Sequence, residues 1–301
     1  MISESLSSPT DTEVVRHQPR VLVGIVTHNR AGILPKAIHS ALSQSYSNMA
    51  VAVLDDGSDD GTSSLQFNFP TVQWHRWGPK RGLLEARNRL MRTELADYYL
   101  SLDDDAWFVD KDEIAVAIEY LETHPGVAAV AFDILSPDRP TPTERCAPRP
   151  TSMFIGCGHV LRISAVREAG FYIPSPGYYG SEEKDLCLRF LERGWEVHLL
   201  LGVHVWHDKT IVARDRAVQH RSSVCNDLAF ALRRCPFPMV LIVLPFKMLS
   251  HLRFALSHGH LKQCIAGFSL FFRHARSVWT NRNPVRAKTF QAFLRRSHEV
   301  S

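Results

Sequence analysis

The chain has 301 residues, 45% apolar and 22% charged, which excludes a disordered segment, a collagen and a coiled-coil rod and fits one large globular domain or two small ones. Mean hydropathy is −0.13 and no run of 18 uncharged apolar residues occurs, so the sequence predicts no transmembrane span. The net charge of +4 hides an asymmetry: from Lys209 onward 16 Lys and Arg face three acids (Asp215, Asp227, Glu299), a net +13, whereas residues 1–208 carry 19 Lys and Arg against 28 acids, a net −9.

Residues 1–19 are polar and Ser/Thr-rich without a hydrophobic stretch, and predict a flexible lead rather than a signal peptide. Val21–Val26 is a short apolar run rich in β-branched residues, fit for a buried strand. Leu34, Ile38, Ala41 and Leu42 follow at helical spacing. Met49–Leu54 predicts a second strand, closed by the turn cluster Asp55–Thr62 (DDGSDDGT). Val72–Trp77 reads as a weaker strand and Gly82–Leu95 as a helix with Leu83, Leu90 and Met91 inward. Tyr98–Leu102 is again strand-like and ends in Asp103–Asp105; Ile114, Ile118 and Leu121 mark a helix, and Val127–Phe132 another strand. Strands alternating with helices predict an α/β fold on a mainly parallel sheet, in which ligands gather at the carboxyl ends of the strands. Both acidic clusters fall at such ends.

Residues 136–150 hold five prolines and predict a long loop. Gly177–Ser181 is a turn opening a helix over Glu182–Arg193, with Ser181 as N-cap and Gly194 as its close. Trp195–Trp206 is strand-like and carries His204, with His207 just beyond. The six cysteines form no CxxC pair and read as reduced, mostly buried thiols of a cytosolic protein. The expected division is therefore a lead over 1–19, a domain over 20–223 and a basic, apolar helical extension over 224–301. Within that extension Pro236–Phe246 is apolar but too short and too Pro-bounded to cross a bilayer, and Leu261–Trp279 interleaves aromatics with cations, as an interfacial amphipathic helix does. A packed helical appendage is the alternative.

Asp103, Asp104 and Asp105 offer the carboxylate oxygens that hard divalent cations prefer, and their mutual repulsion calls for a cationic offset. Asp55 and Asp56 can accept from a ribose hydroxyl or a base N–H. Thr27, Asn29 and Arg30 close the first strand where helix-start amides can meet a nucleotide. Lys80, Arg81 and Arg87 are read as one basic patch. Glu182 and Glu183 suit the first turn of a helix by charge alone, but two adjacent carboxyls also raise each other's pKa toward that of a general base. His207 and His204 compete as a metal ligand.

Taken together these segments resemble the family 2 glycosyltransferases of the GT-A fold, in order over roughly residues 20–210. Val23–Arg30 resembles the opening strand and turn, Ala37–Tyr46 the first helix, and Leu54–Thr62 the DDGS nucleotide segment. Gly82–Asn88 is similar to the family's ARN helix, Leu102–Asp105 to its DxD motif, and Gly180–Leu186 with Arg189 to its ED-x-DL-x-x-R segment. Two departures are Glu183 where the base is usually Asp, and Ser181 where Gly is frequent. The resemblance implies an inverting, metal-dependent hexosyl- or deoxyhexosyltransferase acting in cell-envelope polysaccharide synthesis. Asp105, Asp103 and His207 would hold Mn²⁺ or Mg²⁺; Thr27, Asn29, Arg30, Asp55, Asp56, Arg81, Arg87, Asp103 and Asp104 would bind the nucleotide-sugar. Glu183, or Glu182, would be the base. Family frequency points to a UDP-sugar or dTDP-rhamnose as donor and to a glycan or lipid-linked acceptor. The basic tail implies peripheral contact with the cytoplasmic face of a membrane; no nucleic-acid motif accompanies it. A nucleotidyltransferase of similar fold and an inactive nucleotide-sugar-binding scaffold are the competing readings.

Overall fold

The computed structural model describes residues 18–178, 180–210, 212 and 215–298; the lead expected over 1–19 lies outside these but for its last two residues. The chain runs β1 (Val21–Thr27), α1 (Leu34–Leu42), β2 (Met49–Asp56), a 3-10 turn (Thr62–Phe67), β3 (Gln73–Trp77), α2 (Leu83–Thr93), β4 (Tyr98–Asp103), β5 (Ala106–Phe108) and α3 (Glu113–Thr123). It continues through β6 (Val127–Leu135), β7 (Arg149–Pro150), β8 (His159–Arg162), α4 (Ile163–Ala169), α5 (Glu182–Glu192) and β9 (Glu196–His207). Four helices follow: α6 (Arg216–Arg234), α7 (Val240–His258), α8 (Leu261–Thr280) and α9 (Ala287–His298).

The sheet has the order β3-β2-β1-β4-β8-β6-β9-β5, with β7 on β9. β3, β2, β1 and β4 are parallel, as the strand–helix alternation predicts. The second half is mixed: β6 and β9 are parallel, while β8, β5 and β7 run antiparallel to their partners. The physical reason lies in the connections. β8 arrives after a loop rather than after a crossover helix, so nothing forces it into the parallel sense. Both faces of β1 are covered, which is why its sequence is continuously apolar. Val21, Val23 and Ile25 pack with α1 and α3, whereas Leu22 joins the cluster built on α2, α4 and α5. Gly24 lets the Tyr99 ring lie across β1; a Cβ there would stand 2.5 Å from that ring.

Several local expectations change. Ser181 does not cap α5 through its side chain; it sits in the left-handed region at φ 71°, and α5 starts without a side-chain cap. Leu42 is exposed at the end of α1. The apolar stretch expected to stop at Phe246 instead continues as α7 to His258, 19 residues with a mean hydropathy of 1.5, long and apolar enough to cross a membrane. Pro245 removes one backbone donor without ending the helix. Lys247 does not interrupt it either, because its ammonium lies 2.7 Å from Asp227 of α6.

The C-terminal helices share the core of the sheet's second face. Val224, Leu228 and Phe230 of α6 pack in one cluster with Leu186 and Phe190 of α5, Phe271 of α8 and Phe290 and Phe293 of α9. α6 and α8 approach closely at Gly267, where a Cβ would lie 2.7 Å from Val224 Cβ.

Candidate active site

Parallel register carries the polar residues to one edge. Thr27 pairs with Asp55 across β1 and β2, and Val26 with Asp103 across β1 and β4, so the three strands end together. Around these ends lies a cavity of 130 Å³, whose walls include Thr27, Arg30, Lys80, Asp103, Asp104 and Tyr178. Asp55 is buried; its Oδ1 accepts from the Ser58 amide at 2.9 Å, while its buried Oδ2 has no hydrogen-bond partner. Asp56 differs from the expectation of a free carboxylate. Its two oxygens accept from the Arg81 and Gly82 amides at 2.6 and 2.9 Å, so it holds the 80–82 turn at the start of α2. Asn29, at φ 54°, accepts from the Asp59 amide and donates its own amide to Ser58, locking the β1 turn onto the β2 turn.

Two arginines provide the offset the three aspartates require. Arg30 is buried, paired with Asp104 and 3.5 Å from Asp105. Burial still pushes Asp104 up to about 6, against the pull of Arg30. Arg87 does not belong to the expected basic patch: Lys80 and Arg81 are exposed, whereas Arg87 is only 2% exposed. Its guanidinium reaches Asp103 at 3.0 Å, the Gly156 carbonyl at 2.9 Å and Glu183 at 3.4 Å. Arg87 is therefore the bridge between the β4 acids and the first turn of α5.

The cross-strand register of β5 on β9 sets Ala106 opposite His207, which brings that histidine beside Asp105. His207 Nε2 is 3.3 Å from Asp105 Oδ1 and 3.9 Å from Asp103 Oδ2, and it is buried without a hydrogen-bond partner. Cys157, which the sequence did not single out, completes a group in which Asp103, Cys157 and His207 each place a donor atom within 4.8 Å of the others. His204 sits elsewhere, 3.6 Å from Asp133. An odd spacing along a strand puts the two histidines on opposite faces. Asp105 is almost fully buried and accepts from the Thr210 amide at 3.1 Å, which ties the strand end to the following loop.

Glu183 lies against Gly156, where a Cβ would stand 2.4 Å from Glu183 Oε1. Burial, then the neighbouring Glu182, push Glu183 up to about 8, although Arg87 opposes them. Burial also raises Glu182. The site thus holds a carboxyl of high proton affinity, joined through one buried guanidinium to a carboxylate–imidazole cluster. Gly156 and Cys157 carried no legible sign in the sequence beyond a Gly-punctuated apolar run.

Residues 22–166 match the family model described as glycosyl transferase family 2. Over 115 residues the chain is 31% identical to an uncharacterised glycosyltransferase of Rickettsia felis, an alignment that covers 38% of this chain and 19% of that relative. It is 22% identical over 228 residues to an uncharacterised glycosyltransferase of Rickettsia typhi, covering 70% of this chain and 69% of the relative. Among solved structures it resembles a mannosyltransferase from Pyrobaculum calidifontis in complex with GDP-Man and Mn²⁺, with a TM-score of 0.57 and 18% identity over 94% of this chain and 87% of that one. The fold is therefore the GT-A fold, on a sheet more mixed than the sequence alone predicted.

Proposed function

We propose that the protein is an inverting, metal-dependent glycosyltransferase that moves a sugar from a nucleotide-sugar to an acceptor hydroxyl. The observation that carries this reading is the Asp103–Arg87–Glu183 chain, which joins a cation-suited cluster to a carboxyl of raised proton affinity. A nucleotidyltransferase has no use for such a base.

The buried Nε2 of His207, which makes no hydrogen bond, fits a metal ligand, and Asp103 and Asp105 supply the hard oxygens beside it. These three would hold Mn²⁺ or Mg²⁺, as Mn²⁺ accompanies the donor in the Pyrobaculum structure. The bound cation would neutralise charge building on the departing diphosphate. Glu183 takes the proton of the acceptor hydroxyl as that oxygen bonds to the anomeric carbon; the bond from this carbon to the diphosphate oxygen breaks, and the nucleoside diphosphate leaves on the opposite face. Thr27 and Asp55, whose Oδ2 accepts no hydrogen bond and lies 3.5 Å from Arg76 Nε, lie where the nucleoside would rest. Arg30 and Arg87 act by holding acids in place, and Arg81 through its backbone amide.

The acceptor we assign to this reaction is a glycan or lipid-linked saccharide at the cytoplasmic face of a membrane. Leu241, Ile242, Phe246 and Leu249 of α7 are all more than half exposed, on a segment rich in cations. Lys247 and His251 on the other side of α7 are tied to Asp227, which favours a helix lying in the interface over one crossing the bilayer. The deciding experiment is a screen of nucleotide-sugars, UDP-sugars and dTDP-rhamnose included, for nucleoside diphosphate release with Mn²⁺. Release that depends on metal and disappears in Asp103→Ala is expected. Release of pyrophosphate instead, or nucleotide binding without turnover of any donor, would replace this reading by one of its rivals.

A further inference from the structure

A second cavity, of 740 Å³, is built from the far end of α5, the end of α2, α6 and the segment after α8. Arg189 and Arg193 place it about 9 to 15 Å along α5 from Glu183, at about 1.5 Å per residue. Five guanidiniums line it: Arg92, Arg189, Arg193, Arg233 and Arg234. The lining carboxylate is Glu192, which already bonds Arg286 at 2.8 Å.

The five arginines are not equivalent. Arg189 and Arg234 share the buried Asp185, at 2.8 and 2.6 Å, and spend further donors on the carbonyls of Ala169, Phe171 and Asn283. They are structural. The other three have no carboxylate partner among the described residues. Arg92 stacks 4.3 Å from the Phe171 ring; Arg193 donates to the Arg189 carbonyl at 3.2 Å; Arg233, 8% exposed, donates to the Pro174 carbonyl at 3.3 Å. Of these three only Arg233 is buried, and burying a guanidinium with too few anions is costly unless something supplies the missing charge; Arg92 and Arg193 stand exposed at the mouth of the same cavity. Burial draws Arg189 and Arg233 below arginine's ordinary value; Asp185 opposes this, and the neighbouring Arg234 adds to it.

We propose that this cavity binds a phosphate-bearing ligand, a phosphate monoester or a diphosphate, on the guanidiniums of Arg92, Arg193 and Arg233. Planar guanidiniums match phosphate oxygens in pairs, and Phe171, Ile173 and Val285 give an apolar wall for the organic part of the ligand. The site shares no residue with the cavity at the strand ends, so it stands or falls separately from the donor reading.

The probe is inorganic pyrophosphate, titrated calorimetrically in the presence of a chelator into the wild type, Arg92→Gln/Arg193→Gln and Asp103→Ala. Arg92 and Arg193 are exposed, so their replacement leaves the core untouched. One site is expected, weakened about tenfold or more in the double variant and unchanged in Asp103→Ala. Arg233→Lys, which keeps the charge but loses the fork, weakens it less. No binding to the wild type, equal binding to the double variant, or loss in Asp103→Ala would each overturn the proposal. Displacement of pyrophosphate by phosphatidic acid vesicles assigns a lipid headgroup as the source; binding that such vesicles leave untouched assigns a soluble phosphate compound.

Discussion

Glu183 is pulled in two directions: burial and Glu182 hold its proton on, while Arg87 draws it off. Burial and Glu182 prevail, and a base must be ionised to act. The initial rate is therefore expected to climb as pH rises through about 8. Glu183→Gln keeps the shape and removes the basic oxygen, so turnover should fall about 10²–10⁴-fold while donor affinity, measured by titration with nucleoside diphosphate and Mn²⁺, stays near its original value. If Glu182→Gln has the larger effect, the base is its neighbour. Gly156→Ala tests the same contact from the other side. Its added methyl displaces a carboxylate tip rather than backbone, so activity should drop at least tenfold while the melting curve scarcely moves. An unchanged rate in that variant would show that the Glu183 position is not demanding.

Among the elements, α7 is held to α6 and α5 by one carboxylate. Asp227 accepts from Lys184 at 2.8 Å, Lys247 at 2.7 Å and His251 at 3.1 Å. Burial alone would raise it, but the His251 hydrogen bond and the two ammoniums outweigh burial and hold it well below the ordinary carboxylate range. A depressed carboxyl contributes stability above its unfolded value, near about 4, and loses it as pH falls from there toward the folded value. Urea unfolding between pH 7 and pH 3 should show this decline in the wild type and less of it in Asp227→Asn. Replacing Asp227 by Ala leaves two ammoniums unmatched and should cost about 3 kcal/mol. Packing at the α6–α8 crossing makes a comparable demand: Gly267→Val forces the helices apart and should destabilise by about 1–3 kcal/mol in the same assay.

For the whole molecule, charge and exposed apolar surface coincide in the C-terminal helices. Cations near an anionic bilayer each gain about 1 kcal/mol, and the α7 side chains can add apolar insertion. Sedimentation with anionic vesicles at low salt should pellet the protein, high salt should weaken it, and Ile242→Glu/Phe246→Glu should weaken it further while turnover of a soluble acceptor is retained. Equal pelleting with neutral and anionic vesicles would remove the electrostatic part; no pelleting would return these helices to the status of a packed appendage.

The sequence by itself determined the α/β order, the strand ends and the positions of the acidic clusters, because strand and helix periods and turn residues are local properties. It also placed Asp103, Asp105, Glu183 and His207 among the candidates. It could not show that Arg87 lies in the middle of them, since Arg87 meets Glu183 across 96 positions of chain and Asp103 across 16. Nor could it show which histidine stands beside Asp105: the pairing of β5 with β9 brings His207 there, while His204 lies beside Asp133. Pro245 likewise reads as a boundary of the apolar stretch, whereas the helix runs through it to His258, with Lys247 neutralised by Asp227. Local pattern sets the elements; which charges neutralise one another depends on contacts between elements, and only the tertiary structure decides those.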